Sequence, residues 1–85
     1  SLGPVMLGTN WTADMMTPDK AGVVQPTGTS LGGHEYLAVG IDVRSKTILC
    51  QNSWGSTWGL KGRFRMTWDT LGQLLAQQGD ALQPA

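Results

Sequence analysis

The stretch "GGHEYLAVGIDV", Gly32 to Val43, decides how this sequence folds, and it holds the one histidine of the chain. Its alternation puts Leu37, Val39, Ile41 and Val43 on one face of a strand and His34, Tyr36, Ala38, Gly40 and Asp42 on the other. The first face is the expected core face, and the second carries the histidine. A further apolar run, "KTILCQN" from Lys46 to Asn52, returns after a few residues, so the two should pair as an antiparallel hairpin turning within Asp42 to Lys46. Two registers compete. A turn of Asp42, Val43 and Arg44 sets His34 across from Asn52, with Cβ atoms about 5 Å apart. A turn of Arg44, Ser45 and Lys46 sets Asn52 across from Ala38, about 13 Å along the strand from the histidine at ~3.3 Å per residue.

Outward from the hairpin, twelve glycines and four prolines cut the chain into short β-compatible segments and leave no long helical stripe. "PVMLGTNW", Pro4 to Trp11, is a strand that opens with a proline, where a missing N–H is best tolerated. "MMTPDKAGVVQPTGTSLGG", Met15 to Gly33, is predicted to be a long irregular loop with no regular element beyond Gly22 to Val24. "RFRMTW" alternates again. "TWDTLGQLLAQQG", Thr67 to Gly79, brings Leu71, Leu74 and Leu75 to helical spacing, with Thr67 or Asp69 as cap and Gly79 as stop. A frayed tail, "ALQPA", follows. The fold class expected is α+β, mainly β, in one unit spanning residues 1–85.

Composition narrows the function classes. Six basic residues balance six acidic ones, which gives no electrostatic reason to expect nucleic acid or membrane as partner. No apolar run approaches the roughly 20 residues of a membrane span. One cysteine, Cys50, and one histidine can form neither an internal disulfide nor a tetrahedral zinc cage, so no metal and no cofactor are expected.

What remains is acid–base chemistry. A histidine titrates near neutral pH but needs a second group to fix its ring and tautomer, and an asparagine oxygen can accept from one ring nitrogen without adding charge. A neutral orienter suits an imidazolium that faces a thiolate, as in Cys-His-Asn sites. Trp54, two residues beyond Asn52, offers an apolar plate that would exclude water from the His–Asn bond. Gly32 and Gly33 clear side chains from the approach to His34. Cys50 reads as a small buried hydrophobe, Trp11, Met15 and Met16 as packing groups, and Glu35, which points away from the histidine face, as solvated.

These residues together resemble the C-terminal, β-rich half of papain-like cysteine peptidases, most closely the bacterial and phage-type members with a glycine-glycine-histidine context. "NSWGSTWG", Asn52 to Gly59, is similar to the family's asparagine block. "KGRFRM" is similar to the strand after it, and "GPVMLGTNW" to the glycine-proline-valine strand near the substrate cleft. The resemblance implies the antiparallel β half of the papain-like fold with a short C-terminal helix. It makes His34 the catalytic histidine and Asn52 its orienter, with Gly33, Trp54, Trp58 and Gly8 as substrate-side positions. It implies a peptide or protein substrate. The family's nucleophilic cysteine and oxyanion-hole glutamine lie in an N-terminal helical half with no counterpart here. The expectation is therefore a processed chain of a heteromer, inactive alone, completed by a second chain that brings the cysteine. The alternative is a non-catalytic structural or binding module that keeps the peptidase fold.

Overall fold

A computed structural model describes residues 3–77 and 80–82. Its elements, in order, are strand β1 (Val5–Thr12), a 3-10 turn (Ala13–Met16), β2 (Ser30–Asp42), β3 (Thr47–Gln51), β4 (Arg63–Thr67), helix α1 (Trp68–Ala76) and β5 (Asp80–Leu82). The strands form one antiparallel sheet in the order β4-β3-β2-β1-β5. The mainly β, antiparallel fold with one short C-terminal helix is as expected. Gly22 to Val24, the exempted stretch of the expected loop, supplies the bridge that ties Val23 to Arg65, while β2 begins at Ser30 and takes in the end of that loop. Two elements were not foreseen: the 3-10 turn, and β5, which pairs Ala81 and Leu82 of the expected frayed tail with β1. Gly79, the expected helix stop, lies outside the described residues.

The hairpin takes neither expected register. Leu37 pairs with Gln51 and Ala38 with Cys50. A bulge at Val39 then shifts the ladder by one, so that Gly40 meets Leu49 and Asp42 meets Thr47. The connection is the four-residue turn Val43–Lys46, longer than either candidate. The Asp42 carboxylate accepts from the N–H groups of Arg44 at 3.0 Å and Ser45 at 3.2 Å. The Ser45 hydrogen bonds foremost hold its pKa below the ordinary carboxylate value.

The expected faces are reversed. Tyr36 is buried and Ala38 packs against the core, whereas Ile41 and Val43 are 70% and 71% exposed. The physical reason is which partners the ladders deliver. Paired residues share a face, and the face of Tyr36 also carries Leu7, Cys50 and Phe64, large enough together to close a core. Beyond the bulge Ile41 pairs with Ile48, which packs against the core, but Ile41 itself stays exposed.

The core is sealed by the long loop and the helix. Val24 N–H donates to Arg65 O at 2.9 Å, and Arg65 N–H to Gly22 O at 2.7 Å, so the loop lies along β4 and buries Val24 completely. Thr67 caps α1 by accepting from Thr70 N–H at 3.1 Å, and the helix sinks Leu74 into the core. Trp11 meets Tyr36, Trp58 and Phe64, with ring centroids 5.8, 6.2 and 5.3 Å away. Cutting such a residue to alanine costs about 3–5 kcal/mol, a large part of the 5–15 kcal/mol or so that stabilises a domain.

The segment after β3 is a closed loop. Asn52 N–H donates to Gly62 O at 2.9 Å and Gly62 N–H to Trp58 O at 2.7 Å, which brings the two ends of Ser53–Lys61 together. Gly62 has φ +87°, and a Cβ there would lie 2.9 Å from Gly55 O. Gly62→Ala is expected to lower stability by about 1–3 kcal/mol, read as a reduced urea midpoint, and to loosen the loop that Asn52 begins.

Burial also makes the fold sensitive to alkali. It pushes the Cys50 thiol from 9.0 up to about 12. Burial likewise raises the Tyr36 phenol from 10.0 to about 12, partly opposed by the hydrogen bond with Thr9. Both groups are neutral in the folded chain and lose protons more readily when unfolded. Their contribution is thus complete below about pH 9 and is lost as pH climbs toward 12, one pH unit of difference being worth about 1.4 kcal/mol. The urea midpoint should stay level to about pH 8.5 and fall steadily above pH 9. Cys50→Val should make that fall shallower.

Candidate active site

Pleating and register bring the expected pair together by a diagonal. Since Leu37 pairs with Gln51, the position directly across from Asn52 is that of Tyr36, and His34 lies two residues farther along the same face. Diagonal neighbours stand about 7–8 Å apart, within reach of long side chains. Asn52 begins the loop just beyond β3, and the pair closes: His34 Nε2 and Asn52 Oδ1 are 2.8 Å apart.

The backbone fixes which atoms meet. Ser53 N–H donates to Asn52 Oδ1 at 2.9 Å, so that atom is the acceptor and the amide cannot be turned round. The ring nitrogen facing it must therefore carry the proton. His34 Nε2–H donates to Oδ1, and in the neutral ring Nδ1 keeps its lone pair for an incoming proton. Asn52 is 4% exposed, which removes competing water from the bond, and its Nδ2 is buried without a partner among the described residues.

Aromatic rings hold the imidazole on two sides. Trp54 stacks on it at 4.8 Å with 27° between planes, and Trp11 meets it edge-on at 4.9 Å and 65°. Trp58 stands at 88° against Trp54 and donates from Nε1 to Met16 O at 3.0 Å, anchoring the loop on the 3-10 turn. Beneath, Thr9 pairs with His34 in the β1–β2 ladder, and its hydroxyl shares a 2.7 Å hydrogen bond with Tyr36. The site is thus built onto the aromatic core.

A cavity of about 460 Å³ opens beside the histidine, with Gly8, Asn10, Gly33, Glu35 and Gln77 in its walls. A Cβ at Gly33 would meet nothing within 4 Å, so the backbone there is open to an approaching chain. Of the positions predicted from sequence, His34, Asn52 and Trp54 converge, while Gly33 and Gly8 line the cavity next to them. Trp58 touches the site only through Trp54 and Trp11. Trp11 and Glu35 have contacts with the site that the sequence reading did not assign. Trp11 packs, as expected, but its packing partner includes the imidazole. Glu35 points off the histidine face, yet the cavity reaches it past the bare backbones of Gly8 and Gly33. Neither residue has a sequence signal for this, because both contacts depend on the β1–β2 register. Among the described residues, no three His, Cys, Asp or Glu side chains gather as a metal site would require.

With this geometry in place, comparison with known proteins is informative. Residues 1–79 match the model of the papain family cysteine protease. An uncharacterized peptidase C1-like protein of Acanthamoeba polyphaga mimivirus is 38% identical over 68 residues, which are 74% of this chain and 22% of that protein. The crystal structure of xylellain, a cysteine protease from Xylella fastidiosa, superposes with a TM-score of 0.75 at 25% identity, over 98% of this chain and 33% of that one. The chain thus spans about a third or less of these relatives, and the matches are those of part of a larger protease.

The expectation of a second chain is corrected. It made this a processed half of a heteromer, unable to act because its cysteine resides elsewhere. Yet Cys50 and the hydrogen-bonded His34–Asn52 pair are carried by one polypeptide, and the family match runs through 1–79 of that polypeptide. The three residue types of a Cys-His-Asn set are present together, so a separate cysteine-bearing chain is not required. Cys50 itself is fully buried opposite Ala38, its thiol held protonated by burial. The coverage of 1–79, with the His34–Asn52 geometry, shows that the chain belongs to the papain family of cysteine proteases.

Proposed function

We propose that this protein is a cysteine peptidase in which His34 moves the proton and Asn52 holds the histidine ring. The observation that carries the reading is the 2.8 Å bond from His34 Nε2 to an asparagine oxygen already oriented by Ser53 N–H, which leaves Nδ1 unprotonated and open. A thiolate attacks the carbonyl carbon of a peptide bond. The imidazolium then gives its Nδ1 proton to the departing amine, whose C–N bond breaks. Nδ1 next takes a proton from water as that water attacks the thioester; the C–S bond breaks and the thiolate and imidazolium are regenerated. Asn52 keeps the ring aligned through both transfers, and Trp54 shields the bond that aligns it. In this reading the open backbone of Gly33, the bare position of Gly8 and the indoles of Trp54 and Trp58 face substrate.

Cys50 is the thiol that the sequence offers. Ala38, its ladder partner, lies about 13 Å along β2 from His34 at ~3.3 Å per residue, and the thiol is enclosed. The sulfur must leave the core before it can meet Nδ1. Hydrolysis and thiol identity are therefore measured together on the natural protein.

His34→Ala is expected to lower kcat/KM on peptide substrates by about 10²–10⁴-fold, and Asn52→Ala to lower kcat with little change in KM. Hydrolysis that His34→Ala leaves unchanged would sink the reading. Labelling with iodoacetamide at pH 7, followed by mass spectrometry, locates the reacting thiol. Burial predicts slow labelling of Cys50 in the folded protein and fast labelling in urea. Fast, His34-dependent labelling of folded Cys50 would show that the core opens to present it.

A further inference from the structure

The cavity beside His34 has a charged wall that the proton chemistry leaves unused. Glu35 pairs with Gly8 in the β1–β2 ladder, and a Cβ at Gly8 would stand 3.8 Å from Glu35 Cγ. With glycine there, no side chain intervenes beside the stem of Glu35. On another wall, Asn10 Nδ2 donates to Gln77 Oε1 at 3.3 Å, which joins the two amides and leaves Asn10 Oδ1 as a further acceptor. Among the described residues, no lysine or arginine contributes to the lining. The carboxylate is exposed, and the cavity is roomy enough for a long side chain.

These features favour one kind of occupant. An aliphatic side chain in the cavity would strip water from the carboxylate and give nothing in return. A guanidinium can meet both carboxylate oxygens at once, with Asn10 Oδ1 available for a remaining N–H, whereas an ammonium offers a single point of charge. We infer that Glu35 makes this cavity a pocket for a basic side chain of the substrate, arginine above lysine, on a peptide lying against Gly33 and His34. The inference rests on the peptidase reading above and names its substrate class.

The test uses peptides that differ only in carrying Arg, Lys, Gln or Leu at one position on either side of the cleaved bond. The natural protein should prefer Arg over Leu by about tenfold or more in kcat/KM, the size of one charge-assisted contact. Glu35→Gln should bring that ratio close to one, and Glu35→Arg should turn the preference toward an acidic side chain. Added salt should reduce the ratio, because the pair is open to solvent. A ratio that Glu35→Gln leaves unchanged would overturn the inference.

A second measurement separates this from the peptidase reading. His34 is the sole histidine, so its ring signals in NMR are unambiguous. An Arg-containing peptide amide should shift them more than its Leu counterpart in the natural protein, and Glu35→Gln should abolish the difference. That result without hydrolysis of any peptide would retain the pocket and discard the peptidase reading. Equal shifts with Arg and Leu would discard the pocket.

Discussion

One atom, Asn52 Oδ1, organises the site. It accepts from Ser53 N–H and from His34 Nε2–H, and the first of these bonds determines the meaning of the second. A free asparagine could offer a histidine either its oxygen or its nitrogen. Tied to the backbone, it offers only the oxygen, so the proton on the ring is placed at Nε2 and the lone pair at Nδ1. That asymmetry leaves the ring one open nitrogen and one held nitrogen, the arrangement the proposed proton transfer uses. The loop from Ser53 to Gly62 maintains it, since Asn52 N–H is bonded to Gly62 O at the loop's far end.

The same groups stabilise the fold. Trp11 touches the imidazole with one edge and Phe64 at the centre of the core, and Tyr36 fills the core while its hydroxyl meets Thr9 beside His34. A small sheet has little apolar area to spend, and here much of it lies directly behind the imidazole of His34. The imidazole is therefore set by packing on its inner side and by one hydrogen bond at its tip. The outer side is left to the cavity, where the bare backbones at Gly8 and Gly33 let one space reach residues from both faces of the strand.

Cys50 shows how place outweighs residue type. It supplies the residue type that a Cys-His-Asn list needs within one chain, so the list does not itself call for a second chain. The sheet packs it between Ala38 and Phe64, where desolvation suppresses the thiolate on which any nucleophilic role depends. A buried thiol and an open imidazole nitrogen on neighbouring strands are chemically distant although near in sequence.

The sequence by itself determined the residue types of the site, the antiparallel hairpin, the C-terminal helix with Thr67 or Asp69 as its cap, and the family. Each of these is written in local pattern: alternation, capping chemistry, and the ordered run of Asn52, Ser53, Trp54 and Gly55 after His34. Tertiary structure alone decided the register, the buried face of β2 and the company of His34. The register was not legible because a four-residue turn and a bulge at Val39 satisfy the backbone as well as either simpler hairpin. The face was not legible because Leu37, Val39 and Ile41 are as apolar as a core requires. What buried Tyr36 instead was the arrival of Leu7, Trp11 and Phe64 on its side, contacts made between strands distant in sequence. Alternation states that a strand has two faces, and only the partners that pack against it select which one is inside.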